Sequence, residues 1–268
     1  MLRLFFYFKG KLLKVRHARP EEKFKNPSSW MNTILFEITT SPDFMMIWTT
    51  LLPDLPRPEA EALLSLIGAR YPFSPHYDAL QKSNPDIVFH SDEEEWIFFG
   101  GSFNPWHKGH QACLDLIGVD KTCFVIPDRN PLKELREIDP IFTVLELSSK
   151  IRFRNNQYLV PTFLLDQRKN PTIEWVDKLK KKLPTKKISL LLGFDSFVNF
   201  PNWTKVQDLL PNLHALYIVS RLEHEEEQKI HAKKIHELAP NIMIEFLGRH
   251  QYEKLSSTQI REKKAGKL

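Results

Sequence analysis

From Trp96 onward the chain alternates between two patterns. Short continuous apolar runs occur at Trp96–Phe99, Thr122–Ile126, Gln157–Val160, Ile188–Leu192, Ala215–Val219 and Ile242–Phe246. They have strand length and no polar alternation, so both faces of each strand should be covered. Between them lie stretches with helical spacing of apolar residues, near 107–117, 140–153, 172–183, 203–210 and 224–239. In the second, Ile141, Val144, Leu145 and Ile151 share one face. Covered strands alternating with helices predict an α/β fold, a doubly wound parallel sheet with right-handed crossovers. Such sheets bind ligands at the carboxyl ends of their strands.

Residues 1–92 carry a different pattern and are expected to form an N-terminal extension, with the α/β domain at 93–268. The opening apolar run and Thr33–Ile38 read as strands, and Arg57–Arg70 as a helix with Ala62, Leu63, Leu66 and Ile67 on one face. The prolines between Tyr71 and Asp86 predict loop. The acidic run Asp92–Glu95 reads as a solvated lead into the first strand of the domain. No chemical motif stands out in these 92 residues. A small domain, a dimerisation arm or a cover over a site remain open readings.

Composition changes this picture little. The 268 residues are 42% hydrophobic and 26% charged, with a net charge of +5. That is ordinary for a globular chain, and the mild basic bias suits phosphorylated ligands without arguing for nucleic acid. The two cysteines, Cys113 and Cys123, have no closely spaced partner, which fits packing roles in a reducing setting. No apolar run reaches the length of a membrane span, and no leader-type cleavage site follows the apolar N-terminus. A cytoplasmic protein is the expectation. Lys178, Lys180, Lys181 and Lys182 read as a solvated helix face.

The candidate chemistry sits just after the first strand of the domain, in Gly100-Gly101-Ser102-Phe103-Asn104-Pro105-Trp106-His107-Lys108-Gly109-His110. A strand that ends in glycines and opens a helix is a phosphate cradle. The glycines permit close backbone approach, and the free N–H groups and dipole of the helix start favour an anion. His107 and His110 lie three positions apart, on one face of the first helical turn. His107, His110 and Cys113 also recur every three residues, but no fourth ligand cluster accompanies them, so no metal site is assigned.

The string lacks the lysine and hydroxyl of a P-loop and the glycine spacing of a dinucleotide fingerprint. It resembles the (H/T)-x-G-H signature of the nucleotidyltransferase superfamily. With the preceding G-G-S-F-N-P it is similar to the start of nicotinate/nicotinamide mononucleotide adenylyltransferases. Near the C-terminus, Ser256-Ser257-Thr258-Gln259-Ile260-Arg261 resembles the superfamily's second signature, S-S-T-x-I-R. Read on its own, this is a capped helix start with an arginine one turn later, able to grip phosphate with its planar fork. The resemblance covers about residues 96–261 and implies the Rossmann-like fold of the H-x-G-H type.

Three stretches between the signatures add candidates. Pro127–Lys133 resembles the family's P-x-x-x-P-x-K loop, which implies that Lys133 reaches phosphate. Gly193 and Asp195 follow a strand, where glycine admits a nucleotide and the carboxylate can accept ribose hydroxyls. The resemblance extends to Trp203 and implies that it stacks on the pyridine ring, an ordinary buried tryptophan being the alternative. Arg221 ends the next strand, as in the family, and a surface ion pair is an equal reading. In place of the family's Ser-Tyr-Thr segment stands Asn170–Trp175, where Thr172 keeps the pattern and Glu174 is a second candidate. The chain's acid or amide preference is therefore open.

The resemblance implies adenylyl transfer from ATP to nicotinate or nicotinamide mononucleotide, with release of pyrophosphate, in NAD biosynthesis. His107, His110 and Arg261 would carry the catalysis. Gly100, Gly101, Ser102, Phe103, Lys133, Thr172, Gly193, Asp195, Trp203, Arg221, Ser257 and Thr258 would bind substrates. Mg²⁺ would enter on the ATP phosphates. The expected partners are ATP and a pyridine mononucleotide, with neither nucleic acid nor membrane, and self-assembly is left open. Two alternatives stand beside this: transfer to another phosphate ester, and a silent nucleotide sensor.

Overall fold

The computed structural model describes residues 4–8, 11–15, 57, 71–74, 77–78, 93–128, 139–154, 156–160, 170–220, 225–253, 255–264 and 266. The expected strand at 33–38, the expected helix at 57–70 apart from Arg57, and the side chains of Ile141 and Leu145 lie outside the described residues. So do Lys133 and Arg221.

The opening apolar run is a strand, β1 (Leu4–Phe8), paired antiparallel with β2 (Lys11–Val15), which the sequence pattern did not single out. The remaining strands form one six-stranded sheet. They are β3 (Glu95–Gly101), β4 (Thr122–Pro127), β5 (Gln157–Leu159), β6 (Lys187–Gly193), β7 (Ala215–Val219) and β8 (Met243–Leu247). The sheet order is β5-β4-β3-β6-β7-β8, and every pair is parallel. The helices between them are α1 (Lys108–Leu116), α2 (Pro140–Lys150), α3 (Thr172–Lys182), the short α4 (Phe194–Val198) and α5 (Val206–Leu209), and α6 (Glu225–Leu238). Last comes α7 (Ser257–Lys264). All six expected strands are present. The helix expected over 203–210 shortens to α5 because Lys205 adopts φ 51° and breaks the run.

Chain order fixes where the site must be. From β3 the chain winds outward through β4 and β5, then crosses to β6 and winds the other way. The carboxyl ends of β3 and β6 therefore flank a topological switch point, where neighbouring loops diverge and leave a crevice. Glycine ends both strands, Gly101 on β3 and Gly193 on β6.

Side-chain alternation divides the core between the two sheet faces. Trp96 and Phe98 of β3 and Phe124 of β4 point toward α3, where Trp175 lies 4.8 Å from Phe98 between ring centroids. Phe99 points the other way, toward Trp106 and His110. The α3 face also recruits residues from before position 93. Tyr71 and Phe73 are fully buried, with Phe73 5.0 Å from Phe98 and Tyr71 5.7 Å from Phe124. Part of the stretch read as loop is thus core, because two large aromatics outweigh its proline-rich composition.

One charge reading changes and another holds. Glu95 is the first residue of β3, not a solvated lead. It accepts hydrogen bonds from Ser189 and Tyr217 and pairs with Lys121. The lysine run on α3 is a solvated helix face, as expected, with Lys178 and Lys181 exposed. Lys180 donates to the carbonyls of Pro184 and Lys186, closing the helix end, while Lys181 pairs with Asp177 and Lys182 with Asp78. Both cysteines are buried free thiols, as expected of packing residues.

Candidate active site

The turn after β3 is built by aromatic packing as much as by glycine. Phe103 takes φ 43°, a left-handed value unfavourable for a residue with a side chain. Its ring is held between Phe99, Trp106 and His110, with centroids 5.0–5.1 Å away. Gly101 lies under this cage: a Cβ there would come within 3.0 Å of the Phe103 ring. Gly109 is required more strongly. A Cβ on it would sit 2.9 Å from the His107 ring and 3.4 Å from the Tyr252 carbonyl. The glycine of the H-x-G-H string is therefore there to let His107 fold back over the helix start.

That fold-back is a cap. His107 precedes α1, and its Nδ1 accepts from the Gly109 N–H at 3.1 Å. The neutral ring then carries its proton on Nε2, the nitrogen left to meet a ligand. His110 stacks against it, ring centroids 3.7 Å apart. Burial, then the neighbouring His107, hold the pKa of His110 down to about 3. His107 is lowered too, by burial and then by His250. At neutral pH both are uncharged imidazoles, polar donors rather than cations. Two nitrogens of this cage, Trp106 Nε1 and His110 Nδ1, are buried without a hydrogen-bond partner.

The C-terminal signature closes on this turn. Ser257 Oγ donates to the Pro105 carbonyl at 3.1 Å. Arg261 donates through Nη1 to the Asn104 carbonyl and through Nη2 to Thr258 Oγ1. Ser256 caps α7 by accepting from the Gln259 N–H, and Gln259 returns a contact to the Ser256 N–H. This reciprocal box fixes the helix start that presents Ser257 and Thr258. The guanidinium supplies positive charge where the histidines do not.

The other candidates spread along the same sheet edge. Gly100 is exposed and Ser102 half-buried. Among the described residues, a Cβ on Gly193 would meet nothing within 4 Å. Asp195 is exposed in the first turn of α4, whose N-cap is Gly193. Trp203 is half-buried and packs on the core, with its ring 5.0 Å from Phe200. Thr172 is half-buried as the first residue of α3, behind Pro171, which gives no side-chain cap. The adjacent Asn170 Nδ2 is buried without a partner.

Two residues here were not singled out from sequence. His250 follows β8, accepts from the Tyr252 N–H at Nδ1 and lies 3.7 Å from Cys113 Sγ through Nε2. No motif marks it, since only folding brings it to α1. Asp128 sits at the end of β4, where its N–H donates to the Gly101 carbonyl. Burial pushes its carboxyl up to about 7. It lay inside a loop whose basic residue drew attention instead.

A parallel sheet with this switch point, two neutral imidazoles at a glycine turn and an arginine locked over it define the class. The chain belongs to the cytidylyltransferase-like family, whose family model matches residues 98–263. Its relatives within that class are named as nicotinate-nucleotide adenylyltransferases. A probable enzyme of that name from Leptospira interrogans is 32% identical over 146 residues, 52% of this chain and 73% of that one. Another from Helicobacter pylori is 30% identical over 139 residues, 50% of this chain and 79% of that one. Among solved structures, nicotinic acid mononucleotide adenylyltransferase of Plasmodium falciparum complexed with NaAD aligns at a TM-score of 0.44. It is 19% identical and the alignment covers 63% of this chain and 83% of that one.

Proposed function

We propose that the protein transfers the adenylyl group of ATP to the phosphate of nicotinate mononucleotide, releasing pyrophosphate. The observation that carries this reading is the joining of the two signatures through Arg261 and Asn104. An acceptor phosphate oxygen attacks the α-phosphorus of ATP, and the bond to the β-phosphate's bridging oxygen breaks. The nucleophile is already an anion, so no general base is needed. The protein's task is to align two anions and to stabilise charge on the transferring group.

Neutral His107 and His110 serve as N–H donors to phosphate oxygens, which avoids the cost of keeping two cations in an apolar cage. Arg261, with the Ser257–Thr258 helix start, holds the outgoing phosphates; a phosphate-binding role for Lys133 rests on the P-x-x-x-P-x-K resemblance alone. Gly100, Gly101, Ser102 and Phe103 give the backbone surface over which the nucleotides lie. Thr172 and Trp203 bind the pyridine mononucleotide, Gly193 and Asp195 bind nucleotide, and Arg221 is a further binding residue by resemblance alone. Among the described residues no group of three His, Cys, Asp or Glu gathers to hold a metal. Mg²⁺ would enter as Mg–ATP, held chiefly by phosphate oxygens.

Residues 93–268 form the transferase unit in this reading, with the aromatics at 71 and 73 completing its core. Incubation with Mg–ATP and nicotinate or nicotinamide mononucleotide, side by side, tests the assignment. Pyrophosphate and the matching dinucleotide are expected, with the acid form preferred. Pyrophosphate formed with neither acceptor would remove it.

A further inference from the structure

Gly100 and Gly101 open the end of β3 on opposite faces of the sheet. The space above Gly101 belongs to the Phe103 ring and the histidine helix. The space above Gly100 is different. Among the described residues, the nearest side-chain atom to a Cβ built there is Asp128 Oδ2, at 3.8 Å. Asp128 continues the alternation of Phe124 and Ile126, so it stands on the α3 face, above the aromatic core. On that face the crossover into α3 brings Asn170 and Thr172 to the same end of the sheet.

This carboxyl is half-buried, and among the described residues no side chain donates to it or pairs with it. Its oxygens remain accessible at the open end of the sheet, so the carboxyl is free to accept hydrogen bonds from a ligand. An ionised carboxylate accepts hydrogen bonds and repels phosphate, so its complement on a nucleotide is a neutral donor. The vicinal hydroxyls of ribose offer two, spaced to suit two carboxylate oxygens. The topology agrees. An acidic residue at the end of the second strand of a βαβ unit, next to a glycine turn, is well placed to bind a ribose hydroxyl. β3, α1 and β4 form such a unit, with Asp128 at that position.

We propose that Asp128 is a substrate-positioning residue that accepts hydrogen bonds from the ribose hydroxyls of the acceptor mononucleotide as it lies over Gly100. The proposal rests on the reading of the cleft as a nucleotide site. The choice of acceptor over ATP follows from the sheet face: Asp128 shares the α3 side with Thr172, opposite the histidines.

Calorimetric binding tests this without turnover. Dissociation constants are measured for nicotinate mononucleotide, its 2′-deoxy form, ATP and 2′-deoxy-ATP, on the full chain and on Asp128→Ala and Asp128→Asn. The full chain is expected to prefer the ribo acceptor over the deoxy form by roughly tenfold or more, the worth of a charge-assisted hydrogen bond. Asp128→Ala should lose that preference while its ATP affinity stays within about twofold, and Asp128→Asn should retain part of it. Equal weakening for both sugars, a sugar preference that survives in Asp128→Ala, or a change confined to ATP would overturn the proposal. Retained sugar preference in the full chain without any dinucleotide formation would sink only the transfer reading. Failure to bind any of the four would sink both.

Discussion

The guanidinium of Arg261 donates to the carbonyl of Asn104, 157 residues earlier in the chain. The same side chain touches Thr258, so one residue ties the glycine turn to the start of α7. Two effects should separate on substitution. Arg261→Ala should lower kcat/KM by roughly 10²–10³, through loss of charge at the leaving phosphates. It should also lower unfolding stability by about 1–2 kcal/mol, through loss of the contact to Asn104. Arg261→Lys should recover part of the rate and little of the stability, because an ammonium cannot span both partners. Steady-state kinetics and thermal unfolding of the three proteins check this.

His110 gives a prediction with a sign in pH. Its folded pKa of about 3 lies below the ordinary 6.5, because burial disfavours the charged ring. The unfolded chain therefore takes up a proton first as pH falls. Stability is full above pH 6.5 and is lost progressively below it, by about 2 kcal/mol at pH 5. His110→Gln should remove that acid loss while cutting turnover by about 10²–10⁴ at neutral pH. Unfolding curves at pH 7.5 and 5 that fall equally in both proteins would refute the linkage.

Asp128 behaves oppositely in the ligand-free protein. Its carboxyl is pushed up to about 7 by burial, so here the folded chain holds the proton more tightly. The destabilisation is absent near pH 4, grows as pH rises, and is complete above pH 7. Asp128→Asn should therefore raise stability by roughly 2–4 kcal/mol at pH 8 and leave it nearly unchanged at pH 4. Thermal unfolding at the two pH values measures the difference.

Phe73 belongs to the core although it precedes the α/β pattern. It is 2% exposed and packs on Phe98, Phe124 and Trp175. Phe73→Ala should cost about 3–5 kcal/mol, the usual loss for a large aromatic removed from a packed interior. Denaturant titration checks it, and a cost below about 1 kcal/mol would mean that the segment is dispensable.

Trp203 should act on one substrate. Trp203→Ala is expected to raise KM for the pyridine mononucleotide by about tenfold, the upper range for an aromatic contact, with KM for ATP little changed. Trp203→Phe should restore most of the loss. An equal rise in both KM values would assign the residue to packing on Phe200 instead.

The strands and their parallel pairing were legible because buried parallel strands leave unbroken apolar runs; their order in the sheet was not. Both signatures were legible because each is local: a turn and the first turn of a helix, complete within a dozen residues. Glycine's part was only half legible. The string shows that glycine stands at 109, but the reason is the folded-back His107 ring and the Tyr252 carbonyl, one local and one 143 residues away. Glu95 misled for a related reason, since its partners Ser189 and Tyr217 are fixed by strand pairing.

Sequence alone determined the α/β class, the end of the sheet where chemistry belongs, and the side chains that could bind phosphate. These follow from short-range pattern: apolar run length, helix period and turn chemistry. Tertiary structure decided the protonation of those side chains and which ones meet. His110 is neutral because Phe99, Phe103 and Trp106 enclose it, and Asp128 is poised because β4 sets it against a residue with no side chain. Burial and long-range contact govern both, and neither is a property of any stretch of chain taken by itself.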